Sequence, residues 1–497
     1  MENATLTPRR QGPQFPTPAD EPTRRRLSWP ALAFALLSGT TLVVTLAYPT
    51  YPNYDTVYSL VWGREILDGV TPSFDAYRAP TEHPLAVAFG MLLSLLGQSG
   101  DRAMVFAALI SFLVLTAGLY RLGRIAFTPA IGFVAALILC TRLDFPFLAL
   151  RGYIDVTYLA FVVWAAVLEC ERPRDGFRVP VLLAGAALMR PEAWLIAGLY
   201  FLYAAWPRLT PLARRVRLVL LAAVGPVVWV ALDFAVTGKP LFSLQHTSGL
   251  AEELGRTKSA SQVPSASVQF LRGLDTPVVF YAGLMGVLLA FFFVPRRVPM
   301  PLALLVIGVG TFFVVGAAGL SVIDRYLLVA SLMLMIFAAV TIAGGSLLQP
   351  GRLRSAWIVL GILVLIVGAA KTSLRVNRTA FFDELAFRGE SHAALVDILK
   401  DPVVLKARAC GPLSTPSHKL IPEVRWITGA PVDQVLARSD PRSDAATSRG
   451  LALLVTTRLT LLRQAVVEES DTALDNIPPD GFRRLATNGT YAVYSSC

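Results

Sequence analysis

The sequence predicts a polytopic α-helical membrane protein of about eleven spans, with a small C-terminal α/β domain. Three observations carry this prediction. Of 497 residues, 54% are hydrophobic and only 16% charged, against roughly 25% charged in a soluble domain. Apolar runs of membrane length recur from about Leu32 to Ala370, each bounded by Pro, Gly or charge. After Lys371 the composition becomes that of a soluble domain. The formal charge of +11 does not point to nucleic acid. Its arginines fall in short clusters between apolar runs, where they mark loops facing the cytoplasm and its anionic leaflet.

Residues 1–29 are rich in Pro, Thr and Arg and lack apolar periodicity, so they read as a disordered cytoplasmic tail. Leu32–Ala47 has no small-x-small cleavage site after it and reads as an uncleaved first span running outward. The run 84–97 is shorter than the roughly 17 residues a span needs, and counting it would put Arg121 and Arg124 outside. It is therefore a juxtamembrane or partly inserted helix. The later spans follow at 103–120, 129–146, 153–169, 179–189, 193–206, 216–236, 277–294, 299–319, 326–344 and 354–370. Their basic loops, including "ERPRDGFR" and "PRLTPLARRVR", alternate as the positive-inside rule requires. The membrane domain is then 30–371, and residues 372–497 lie outside.

Within that exported domain, 381–400 has helical apolar spacing, while 402–410, 451–457 and 490–497 read as strands. Cys140 and Cys170 belong to a span and its end and read as apolar filling. Cys410 and Cys497 fall at strand ends in an oxidising compartment, which favours a disulfide between them over two separate thiols. The chain has no CxxC pair, no metal-type His/Cys spacing and no haem motif. No cofactor is firmly implied; a divalent metal is compatible with the sequence but is not predicted.

Under this topology, acidic and basic groups from five distant segments converge on the outer face. The first of them is "YPNYDTVYSLVWGREILDGVTPSFDAYRAPTEHPL" from Tyr51. Helical spacing puts Asp55, Tyr58, Trp62 and Glu65 on one face. Asp55, closest to the end of span one, is the candidate general base, poised by partial desolvation; the plain alternative is a carboxylate meeting backbone donors at a helix start. Asp68 has Arg64 four residues away to pair with, and Asp75 lies in a Pro/Ser-flanked turn. His83, before Pro84, is a candidate for orienting Asp55 or touching substrate, and His246 lies in a later outer segment. Arg151–Asp155, Arg190–Glu192 and Asp324–Arg325 each read as a local ion pair. Three such sites at one face also suit an anionic headgroup, since guanidinium matches phosphate oxygens bidentately.

The first-loop segment resembles that of GT-C superfamily polytopic glycosyltransferases, especially actinobacterial members. The helix after "TEHPL" is similar to the one following the His–Pro or Lys–Pro motif of the protein mannosyltransferase and aminoarabinose transferase branch. "RGYIDVTYLAFVVWA", "LMRPEAWLIAGLY" and "DRYLLVA" resemble that branch's Arg/Asp segment, Arg–Pro–Glu turn and late arginine motif. The likeness covers roughly 32–345. It implies an inverting transferase that takes a sugar, mannose or arabinofuranose, from a polyprenyl-phosphate donor. The acceptor would be a glycan, glycolipid or protein at the outer face of the cell membrane. On that pattern Asp55 is catalytic, and Arg151, Arg190 and Arg325 are candidates for the donor phosphate. Tyr58, Trp62, Glu65, Asp75, His83, Asp155, Glu192 and His246 surround them as candidate supporting or substrate residues. The first loop has no Asp-x-Asp pair, which argues against a metal-dependent, oligosaccharyltransferase-like mechanism.

A phosphate leaving group needs little protonation, so one carboxylate plus arginines suits transfer better than the paired carboxylates of glycoside hydrolysis. The competing classes are another lipid-carrier-linked transferase or flippase, and a secondary transporter. A transporter would place its polar residues near the midplane of repeated halves, and no internal repeat is evident.

Overall fold

The computed structural model describes residues 29–48, 51–206, 211–259, 261–375, 378–468 and 471–497. The tail expected over 1–29 lies outside them, apart from Trp29, which begins the first helix. The chain is a multi-pass helical membrane protein with a small C-terminal sheet. Its first helices are α1 (Trp29–Ala47), α2 (Tyr54–Leu67), α3 (Pro84–Ser94) and α4 (Gly100–Ala126). Then come α5 (Pro129–Thr141), α6 (Asp144–Leu150), α7 (Ile154–Glu171), α8 (Arg178–Met189) and α9 (Ala193–Ala205). The membrane part continues with α10 (Leu212–Thr237), α11 (Phe242–Glu253), α12 (Val263–Phe293), α13 (Pro299–Ala317), α14 (Leu328–Ala343) and α15 (Arg352–Arg375).

Seven of the described helices are long and apolar enough to cross a membrane, and the bent pair α5–α6 makes an eighth. The other three predicted spans are also helices. Of these, α7 has 18 residues but carries Asp155, Glu169 and Glu171, and α8 and α9 have 12 and 13 residues. Helix α14 is the hub of the bundle, with every residue from Leu328 to Thr341 buried. By contrast α1 has no buried residue and sits at the periphery.

Two predicted spans differ from their expected course, and proline explains both. The span at 129–146 is broken by a 65° bend between α5 and α6, because Pro146 cannot donate to the carbonyl of Arg142 and its ring would clash there. The span expected at 277–294 begins instead at Val263 and kinks at Thr276 (φ 60°, ψ 154°). Pro277 drives its predecessor out of the α region. The fully buried Asp275 lies in this kink and accepts a 2.7 Å bond from Ser331 Oγ.

The first loop is seated by backbone contact. A Cβ on Gly90 would lie 2.2 Å from the Ser59 carbonyl oxygen, and one on Gly63 would lie 2.3 Å from the Met91 nitrogen. Only glycine lets α2 and α3 cross this closely.

The C-terminal part continues with α16 (Arg378–Leu399), α17 (Pro402–Ala407) and β1 (Leu413–Thr415). It closes with α18 (Ile421–Thr428), β2 (Val435–Ala437), β3 (Leu451–Val455), β4 (Arg483–Thr487) and β5 (Tyr491–Ser495). The sheet order is β2-β1-β3-β5-β4, parallel across β2-β1-β3 and antiparallel thereafter. The strand expected over 402–410 is instead α17 and a 3₁₀ turn. Asp401 Oδ1 caps it by accepting from Val403 N at 2.7 Å, and Pro402 supplies the first helical φ. Cys410 and Cys497 are joined by a disulfide across the two ends of the unit, with Cα atoms 6.3 Å apart.

Helix α18 docks this unit onto α2. Trp426 packs with Val57, Leu60, Val61 and Met104. The buried Arg425 pairs with Glu65 and donates to Ser73 Oγ at 2.8 Å. Arg64 donates to the carbonyls of Trp426 and Arg425 at 3.0 and 2.7 Å, so the pairing expected with Asp68 gives way to this contact. His392 on α16 lies 2.6 Å from Glu423 and 3.5 Å from Asp101 on α4.

Two outcomes test these contacts. Gly90→Leu should destabilise the protein by at least ~1–3 kcal/mol, whereas Gly39→Leu on α1, with open space around it, should leave the melting temperature in detergent unchanged. Burial opposes the charge on His392, but Asp101 and Glu423 outweigh it and raise its pKa to about 9. Its stabilisation is therefore fully present below the unfolded value near 6.5 and is lost as pH rises through about 9. Wild-type melting temperature should fall across that window, and His392→Gln should remove that part of the pH dependence.

Candidate active site

Asn53 starts the site by capping α2. Its Oδ1 accepts from Asp55 N at 2.9 Å and Thr56 N at 3.3 Å, which presents Asp55 on the first turn. The same residue latches this turn to the α6–α7 corner, where Asn53 N donates to Arg151 O at 2.7 Å and Thr56 Oγ1 to Gly152 O at 2.8 Å. Gly152 takes φ +64°, the left-handed conformation this corner needs.

From Asp55 a chain of opposite charges runs inward. Arg325 Nη1 lies 3.2 Å from Asp55 Oδ2 and 3.5 Å from Asp155 Oδ2. The other Asp155 oxygen pairs with Arg190, whose Nη1 reaches Glu192 Oε1 at 3.1 Å. The side chains of Asp155, Arg190 and Glu192 are buried at 1, 7 and 6% exposure, while Asp55 and Arg325 keep 21 and 27%. The chain therefore has a sealed inner end and an outer end open to a reactant. Arg325 stands over the Tyr153 ring at 5.4 Å and Arg190 over Tyr326 at 5.9 Å. His83 Nδ1 and Arg190 Nε are buried without a hydrogen-bond partner among the described residues. Such orphaned polar atoms call for an explanation, and a polar ligand is one.

Burial works against the charge on Asp55, but the Arg325 guanidinium, helped by Lys419, holds its pKa below the ordinary carboxylate value. Desolvation alone would have raised it; the cation alongside decides the sign. Burial, reinforced by Arg190, pushes His83 down to about 3, so its imidazole is neutral.

The local ion pairs expected from sequence are mostly replaced. Arg151 does not reach Asp155. Its guanidinium donates to the carbonyls of Tyr51 and Pro52 at 3.1 and 3.5 Å and stacks on the Tyr51 ring. Arg325 turns away from Asp324 to Asp55 and Asp155, because adjacent residues of one turn do not face each other. Only Arg190–Glu192 keeps its local partner, and Arg190 gains Asp155 as well.

Other candidates lie apart from this chain. Tyr58 and Trp62 are buried with ring centroids 5.0 Å apart, and Trp62 Nε1 donates to Ser73 O at 3.1 Å. Glu65 belongs to the α18 docking contact. Asp75 is exposed on the loop. His246 reaches Ala79 O at 3.0 Å and stacks on Phe242, tying α11 to the first loop. His83 lies edge-on to Trp229 at the rim of the chain. Sequence reading missed Lys419, which the turn after β1 brings over the Tyr54 ring at 5.0 Å. It also missed Glu82, Asp233 and Ser243, a buried cluster in which Ser243 Oγ bonds both carboxylates. No local pattern marks either group. Among the described residues no set of three or more His, Cys, Asp or Glu side chains is arranged to hold a metal ion.

This geometry sits on a fold shared with solved structures of other proteins. The structure resembles that of ArnT from Cupriavidus metallidurans bound to undecaprenyl phosphate, with a TM-score of 0.57 at 14% identity over 94% of this chain and 98% of that one. The apo form of the same protein gives 0.56 over 97% of its chain. The archaeal oligosaccharyltransferase AglB from Archaeoglobus fulgidus, in complex with an inhibitory peptide and a dolichol-phosphate, gives 0.53 at 12% identity over 94% of this chain and 74% of that one. No protein-family model and no curated protein sequence matches the chain.

Proposed function

We propose that this protein is an inverting glycosyltransferase that moves a sugar from a polyprenyl-phosphate donor to a hydroxyl of a cell-envelope glycan, glycolipid or protein. The observation that carries the reading is the Asp55–Arg325–Asp155–Arg190–Glu192 chain, which joins the first loop to a late-span arginine. The fold likeness to proteins solved with undecaprenyl phosphate and dolichol-phosphate supports a lipid-phosphate donor.

In this reading the acceptor oxygen attacks the anomeric carbon as the bond to the donor's phosphate oxygen breaks. The lipid phosphate leaves with the bonding pair. The acceptor proton passes to Asp55, which Arg325 keeps ionised and fixed in direction. Arg325 is the only one of the two arginines in the chain with an open side, so it meets the phosphate charge as that charge grows. Arg190, sealed between Asp155 and Glu192, fixes Asp155, which in turn aims Arg325. Arg151 supports the α2 start and takes no direct part with the donor phosphate.

The first loop and the C-terminal unit face the extracytoplasmic side in this reading, and the arginine-rich loops face the cytoplasm. In a background lacking Cys140 and Cys170, Thr71→Cys and Asp480→Cys should react with an impermeant maleimide on intact cells, while Arg172→Cys should not. Protection of Thr71→Cys would reverse the topology.

Asp55→Asn keeps size and removes the charge, so turnover with a polyprenyl-phosphate sugar should fall by roughly 10²–10⁴ while donor binding persists. Arg325→Gln should lower kcat and weaken donor binding together, whereas Arg151→Gln should act mainly on the melting temperature. Normal turnover of Asp55→Asn would refute the mechanism.

A further inference from the structure

Away from the charge chain, a cavity of about 60 Å³ lies between the membrane helices and the C-terminal unit. Tyr51 and Tyr54 form one side, and Arg151, Arg388, Lys419 and Arg463 converge on it from four separate parts of the chain. This volume exceeds the roughly 10–15 Å³ that one water needs, so the cavity admits a small polar group.

The carboxylates nearby do not cancel these cations one for one. Arg388 and Arg463 share Glu384, at 2.8 and 3.3 Å. Lys419 shares Glu468 with Arg256, at 3.4 and 2.7 Å. The acid lining the cavity, Glu423, is engaged by His392 at 2.6 Å. Arg151 makes no ion pair among the described residues; its guanidinium rests on carbonyls. The cavity is thus cationic, and guanidinium groups suit an oxyanion.

We propose that this interdomain pocket binds a phosphate-monoester group carried by the acceptor, at a position distinct from that of the donor's phosphate. Tyr54 and Lys419 border both the pocket and the neighbourhood of Asp55, so a group anchored here holds an attached hydroxyl beside the base. The acceptor assignment rests on the transferase reading, but the binding does not require turnover.

The test uses the full-length protein in detergent, with inorganic phosphate and methyl phosphate as probes and sodium chloride at matched ionic strength as control. Both probes should raise the melting temperature saturably. The apparent affinity should fall at least tenfold in Arg388→Gln and in Lys419→Gln and stay unchanged in Arg325→Gln. Arg463→Gln alters a half-exposed side chain, so it carries the same arm, with a threefold or greater loss, should Arg388→Gln fail to fold. Wild-type affinity in the pocket variants, or loss in Arg325→Gln instead, would overturn the site. A response to inorganic phosphate without one to methyl phosphate would overturn the acceptor assignment. An Asp55→Asn protein of normal turnover that still binds both probes would refute the transferase mechanism and leave the pocket standing.

Discussion

The site hinges on a single guanidinium. Arg325 lies 3.2 Å from Asp55 and 3.5 Å from Asp155, and it comes from a turn 270 residues beyond Asp55 in sequence. A buried ion pair is retained only when its partners satisfy one another, because removing one charge strands the rest. Here the requirement propagates: Asp155 needs Arg190, and Arg190 needs Glu192. The first loop, the start of α7, the α8–α9 turn and the entry to α14 must therefore meet at one point. That convergence fixes the helix packing around the outer end of α14 and sets Asp55 below its ordinary pKa.

Around this chain the remaining polar contacts hold the first loop in place. Asn53 and Arg151 secure its beginning, Glu65 and Ser73 its middle through Arg425, and His246 its end through the Ala79 carbonyl. Glycines at 63 and 90 allow α3 to lie directly against α2. The C-terminal unit is part of the same assembly, since α18 covers α2 and the turn after β1 carries Lys419 to Tyr54. A domain joined in this way can shape what approaches Asp55 as well as cover it.

The apolar helices were legible because hydrophobic length and flanking charge are local properties. Asp55, Asp155, Glu192, Arg190 and Arg325 were legible as candidates because ionisable groups at a membrane edge are costly enough to stand out. Their partners were not. Residues four apart suggested Arg151 with Asp155 and Arg64 with Asp68, yet both arginines bind backbone carbonyls instead. Burial raises the value of an otherwise unpaired carbonyl, and a long guanidinium can leave its own helix to reach one. The segment 402–410 looked like a strand from its β-branched residues, but the Asp401–Pro402 start overrode that preference.

The sequence by itself determined the class of fold and the order of the membrane helices, and it marked Asp55, Arg190 and Arg325 as candidates. These follow from composition, periodicity and local spacing. The tertiary structure alone decided that Arg325 rather than a neighbour pairs with Asp55, that Arg151 is a strut, and that Lys419 belongs beside the site. Pairing between segments hundreds of residues apart depends on how helices cross and how much water they exclude, and no local pattern records either.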